Sequence, residues 1–106
     1  MPVRPRMPSE KKFEQAIELA DNVQILEWHP EFIRMGKLLA TEEKYPDEAL
    51  VHLMATAPGR VPPIVVYPSR SKGEFDIIDG HHRFNAAQEA GLKGMWAVVI
   101  DKGSYA

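Results

Sequence analysis

No cysteine occurs anywhere in the 106 residues. Disulfide staples, a thiol nucleophile and thiolate metal sites are therefore excluded. Long apolar runs are missing as well. No stretch approaches the roughly 20 residues a membrane helix needs. The segment Met1-Pro2-Val3-Arg4-Pro5-Arg6-Met7-Pro8 has no apolar core of the kind a signal peptide carries. The expectation is a soluble, cytoplasmic protein with no membrane partner. Basic excess is also absent, since the net charge is −2. That disfavours a purely electrostatic nucleic-acid binder. Arg4, Arg6, Lys11 and Lys12, and again Arg60, Arg70 and Lys72, form local basic clusters, whose plainest reading is solvated surface charge.

What is present suits one compact domain. Hydrophobic residues make up 44% of the chain and charged residues 26%, ordinary values for a globular protein. The length allows a core without metal or disulfide. Residues 1–8 read as an extended basic, proline-rich arm, and residues 9–106 as a single domain. A helix is expected over about residues 10–21, capped by Ser9, with Phe13, Ala16, Ile17 and Ala20 on one face. Val23 to Trp28 reads as a strand that His29-Pro30 ends. Residues 31–45 carry Phe32, Ile33, Leu38 and Leu39, which need cover from a short helix or turns. Pro46 at a first-turn position opens a helix with Leu50, Leu53, Met54 and Ala57 as its buried stripe, stopped by Pro58-Gly59. Ile64 to Tyr67 and Phe75 to Ile78 form a hairpin around a polar loop. A helix from Phe84 to Ala90 ends at Gly91, with Leu92 packing behind it. Trp96 to Ile100 is the last strand. The order predicts a small mixed α/β domain (α+β, a small mixed sheet with packed helices), with a crossover before the last strand long enough for parallel pairing.

The chemistry concentrates in Asp79-Gly80-His81-His82-Arg83, between an expected strand and an expected helix. A strand that turns at glycine into a helix aims free N–H groups at one point, and the helix dipole favours an anion there. Gly80 removes a Cβ where a ligand oxygen would approach. Arg83 adds a permanently charged fork for phosphate oxygens. His81 and His82 can donate to phosphate or shuttle a proton, although adjacent helical positions face different ways. Asp79 has the wrong sign for phosphate. It could hold Mg²⁺ bridging to phosphate, or take a proton from a hydroxyl nucleophile. The bland alternatives are Asp79 as an N-cap and Arg83 as a surface residue. A zinc pair of His81 and His82 has the wrong spacing, since helical ligands lie four apart. Glu42 and Glu43, ahead of the Pro46 helix, are either solvated loop charge or a carboxylate facing the phosphate site as a general base.

Val61-Pro62-Pro63-Ile64, the polar hairpin loop, the pentapeptide, Ala86-Ala87 and Gly91-Leu92 together resemble the core of the ParB/sulfiredoxin superfamily. The resemblance covers about residues 23–101, and its specific part is 61–100. It implies the superfamily's fold. Sulfiredoxins carry Gly-Cys-His-Arg, and His81 stands where that cysteine would be, so cysteine-based sulfinic acid reduction is excluded. The resemblance assigns His82 and Arg83 to ATP phosphates. Partition ParB proteins of the superfamily bind and hydrolyse CTP and read DNA with a separate downstream domain. The pentapeptide is most similar to that of ParB-like free serine kinases, in which an acidic residue before the helix activates the serine hydroxyl. Glu42 or Glu43 lies in roughly that place.

The reading is a ParB/sulfiredoxin-like domain that binds a nucleotide (ATP, ADP or CTP) through its phosphates and performs Mg²⁺-dependent phosphoryl transfer or nucleotide hydrolysis. Gly80, His81, His82 and Arg83 bind phosphate. Asp79, Glu42 and Glu43 are the catalytic candidates, and Asp79 is the metal candidate. A small hydroxyl compound is the candidate acceptor. The alternative is a non-catalytic, DNA-associated module of partition or plasmid and phage regulation, acting through the basic clusters as a homodimer. In a third reading the chain is a degenerate scaffold whose Trp28 and Trp96 serve only the core or a partner surface.

Overall fold

Two apolar runs near the C-terminus build the centre of the molecule. Ile64–Pro68 (β3) and Gly94–Ile100 (β5) are parallel neighbours, with Ile64, Val65 and Val66 opposite Ala97, Val98 and Val99. Strands covered on both faces read as continuous apolar sequence rather than as alternation, and these six residues are all essentially inaccessible. The computed structural model describes residues 6–21 and 23–101. Arg4 and the rest of residues 1–5 lie outside the described residues, as do Asn22 and residues 102–106.

The remaining strands are Trp28–Arg34 (β1), Leu38–Leu39 (β2) and Phe75–Asp79 (β4). The five form one mixed sheet in the order β1-β5-β3-β4-β2. β1 is antiparallel to β5 and β3 to β4, while β2 runs parallel to β4. The helices are Glu10–Leu19 (α1), Glu48–Thr56 (α2) and His81–Glu89 (α3). The small mixed α/β architecture expected from the sequence is the one observed. α2 and α3 cover one face, where Ile64, Val66, Ile77, Met54, Phe84, Ala97 and Val99 share a core. α1 covers the other, where Phe13, Ala16 and Ala20 meet Val65, Val98 and Ile100. Phe13 also stacks on Trp28, with ring centroids 5.8 Å apart.

Where a short helix or turns were expected over residues 31–45, Phe32 and Ile33 lie in β1 and Leu38 and Leu39 form β2. α1 stops at Leu19 and β5 starts at Gly94. Three further boundaries differ from the sequence expectation. The first strand does not occupy Val23 to Trp28. It starts at Trp28 and runs through His29-Pro30, the pair expected to end it. β1 is an edge strand, where proline is tolerated. The N–H groups of Asp101 and Met35 donate to the carbonyls of Glu27 and Lys93, so odd positions of β1 face β5. Pro30 falls at an even position, where its missing N–H would have pointed away from the sheet. Pro46 is not in the first turn of α2. Asp47 is the cap, its Oδ1 accepting from Ala49 N–H at 3.1 Å and Leu50 N–H at 3.2 Å. α3 begins at His81, three residues before Phe84, which puts two histidines and an arginine into its first turn. Its far end matches expectation. Gly91 has φ +77°, and Leu92 N–H returns to the carbonyl of Ala87.

No helix among the described residues is long and apolar enough to cross a membrane.

Candidate functional site

β2 and β4 are parallel neighbours, so the chain leaves both at the same end of the sheet. From β2 it enters the loop that carries Thr41, Glu42, Glu43 and Lys44. From β4 it enters Gly80 and α3. A register shift between Val65 and Val66 leaves Ile78 as an extra residue in β4, immediately before Asp79. Bulges of this kind bend a strand and re-aim its next side chain, often beside functional sites.

Gly80 is the N-cap of α3, with φ +103° and ψ 27°. A side chain there is excluded twice. The backbone lies in the left-handed region, and a Cβ would stand 2.7 Å from Ile64 Cγ2 and 2.8 Å from Arg83 Nη2. The glycine is thus required by the chain's own packing. The first helical bond runs from Phe84 N–H to the carbonyl of Gly80, at 2.8 Å. The N–H groups of His81, His82 and Arg83 accordingly precede any intrahelical acceptor.

The Arg83 side chain folds back across this turn and is only 13% exposed. Nη2 donates to Asp79 Oδ2 at 3.3 Å, and buried Nε has no hydrogen-bond partner. Burial lowers the Arg83 pKa and the Asp79 charge opposes that effect; a guanidinium stays cationic through such shifts. Asp79 is therefore the ion-pair partner of Arg83 and not the cap of α3. His82 is exposed. His81 is buried, with Nε2 3.4 Å from Thr41 N and 3.5 Å from Thr41 Oγ1. Its Nδ1 lies 3.5 Å from Glu42 Oε2. Burial depresses the His81 pKa against the pull of Glu42, so the ring is neutral at neutral pH. Glu42 is exposed and bonded to Lys44 Nζ at 3.0 Å. The hydrogen bond to Lys44 is the main cause that lowers its pKa, followed by the Lys44 charge and then that of His81, and the carboxyl stays ionised.

Of the seven residues singled out in the sequence, the structure brings Asp79, Gly80, His81, Arg83 and Glu42 together. Glu43 is exposed and no contact ties it to this cluster. Thr41 and Lys44 were missed, because a threonine and a lysine in a polar loop carry no local signal of the histidine and carboxylate they hold. Among the described residues no three His, Cys, Asp or Glu gather as metal ligands do. An apolar cavity of about 430 Å³, including its open mouth, is lined by residues of other segments, with Phe32, Met54, Pro62, Pro63, Met95 and Trp96 among them.

The fold and this turn define a member of the superfamily that the pentapeptide suggested. The chain belongs to the ParB N-terminal domain family, whose model matches residues 9–104. It is 39% identical over 66 residues to an ATP-dependent L-serine kinase of Staphylothermus marinus, covering 62% of this chain and 23% of the kinase. A C-terminally truncated chromosome-partitioning ParB from Caulobacter crescentus, solved with CTP-γ-S, superposes with a TM-score of 0.53 at 28% identity, over 72% of this chain and 47% of that one. Sulfiredoxin from Arabidopsis thaliana shares the fold, with a TM-score of 0.52 at 20% identity, over 67% of this chain and 83% of that one. The chain spans under a quarter of the length of the kinase it matches.

Proposed function

We propose that this domain binds a nucleotide by its phosphates at the start of α3 and supports phosphoryl transfer to a hydroxyl acceptor, or hydrolysis of the nucleotide. The observation that carries the reading is the turn at Gly80. Free amide groups, an arginine with unspent donors and an ionised loop carboxylate meet at one end of the sheet. The kinship supports it: the kinase relative is ATP-dependent, and the ParB structure holds a CTP analogue.

In this reading the N–H groups of His82 and Arg83 and the guanidinium of Arg83 receive phosphate oxygens. Glu42, kept ionised beside Lys44, faces the acceptor hydroxyl and takes or orients its proton. Glu43 has no part. Among the described residues the donors are too sparse to cage a divalent cation. Asp79 would supply one carboxylate oxygen to a Mg²⁺ that arrives on the nucleotide, where the ion neutralises phosphate charge.

Calorimetry with ATP, ADP, CTP and GTP, each with and without Mg²⁺, tests the reading, which expects binding of at least one. Arg83→Ala should weaken that binding about 10- to 100-fold, the worth of a charge-assisted hydrogen bond. Unchanged affinity would refute the site. Where turnover is found, Glu42→Gln should lower kcat about 100-fold or more, as loss of a general base does. Glu43→Gln should leave kcat unaltered.

A further inference from the structure

His81 is the residue whose position and chemistry fit the phosphate site least. It lies in the first turn of α3, yet its side chain is 7% exposed and both ring nitrogens are turned to the loop after β2. Nε2 faces the Thr41 N–H and hydroxyl. An amide N–H can only donate, so Nε2 accepts and the ring proton sits on Nδ1. Nδ1 lies 3.5 Å from Glu42 Oε2, a charge–dipole approach rather than a formed hydrogen bond, while the other carboxylate oxygen is bonded to Lys44 Nζ. Each histidine contact is long for a hydrogen bond. The hold is therefore made of several weak tethers around a buried ring, and no ring nitrogen is left for a ligand.

We infer that His81 is a positioning residue: it docks the Thr41–Lys44 loop onto α3 and holds the Glu42 carboxylate over the helix start, and it does not bind phosphate. This rests on the reading given under Proposed function only for what Glu42 does; the docking itself stands on the geometry. The consequence is a division of labour between neighbours. Arg83 sets nucleotide affinity, and His81 sets the placement of the group that meets the acceptor.

Four measurements on the whole chain test it, with folding of each variant checked by circular dichroism. Nitrogen-15 NMR of the histidines should find the His81 proton on Nδ1. Exchange of the Thr41 amide should be about tenfold faster or more in His81→Ala than in the wild type, as expected when a local tether is removed. Affinity for the nucleotide should change less than about threefold in His81→Ala, against the tenfold or greater loss in Arg83→Ala. In turnover, His81→Ala and Glu42→Gln should each lower kcat without raising KM for nucleotide, and the double variant should be no worse than the poorer single one. His81→Asn, whose amide N–H₂ can stand near the Nδ1 position, should recover part of the loss. A merely structural histidine would give none of that rescue.

An affinity loss in His81→Ala as large as in Arg83→Ala would make His81 a phosphate ligand and overturn the inference. So would unchanged Thr41 exchange or a proton on Nε2. Should the wild type bind no nucleotide, the functional reading fails, while tautomer and exchange still decide the docking.

Discussion

Gly80 was marked in the sequence as room for a ligand, and its neighbours give the stronger reason for it. Ile64, fully buried, and the Arg83 guanidinium already press on the space a methyl group would take. Gly80→Ala should therefore cost roughly 1–3 kcal/mol in urea unfolding, from a left-handed backbone forced on a non-glycine residue. It should also push Arg83 off Asp79, so nucleotide affinity falls with stability. The pentapeptide was legible because its residue types are rare in combination and local in sequence. The choice between Glu42 and Glu43 was not legible. It depends on which carboxylate a turn presents to a histidine some 40 residues further along, and no pattern in the loop itself encodes that.

Among the elements, α2 is legible in its apolar stripe but not in its opening. Proline and aspartate both mark helix starts, and here aspartate took the cap while proline stayed outside. Asp47→Ala should destabilise the chain by about 1 kcal/mol in urea unfolding. Asp47→Asn should keep most of that stability, since Asn caps as well as Asp. Ser9 shows the opposite case. It occupies the cap position of α1, but its hydroxyl makes no cap bond. The first strand is hidden for a different reason. The extended geometry imposed before proline suggests an ending, although a sheet edge accepts it. Whether a strand is an edge is a property of the assembled sheet and not of its own residues. The later strands and the Gly91 stop were legible because continuous apolar runs and a glycine after a helix act locally.

Across the whole molecule, edge strand β1 is fastened to the far end of β5 by an ion cluster as well as by its ladder. His29 Nδ1 lies 2.7 Å from Asp101 Oδ1 and His29 Nε2 3.1 Å from Glu31 Oε2. Burial works against protonation of His29, but the hydrogen bonds and charges of Asp101 and Glu31 prevail and raise its pKa above the usual 6.5. The folded chain thus keeps this proton longer than the unfolded chain does. Its stabilisation is complete below the ordinary histidine value and is lost as pH rises through the raised one. His29→Gln should therefore lose less stability than the wild type between about pH 6 and 8. Because the cluster is exposed, the difference should not exceed about 1 kcal/mol. Urea unfolding at several pH values reads it directly, and an identical pH slope in both proteins would count against the cluster.

The brevity of β2 has a consequence for how the domain works. Two residues, Leu38 and Leu39, are all that pair the Glu42-bearing segment with the rest of the sheet. Such a short ladder is among the first parts of a protein to open while the remainder stays folded. The carboxylate thus follows a strand of only two paired residues, whereas the arginine lies on a helix anchored in the interior. If the proposed function holds, opening of β2 would displace the acceptor carboxylate and leave nucleotide capture untouched.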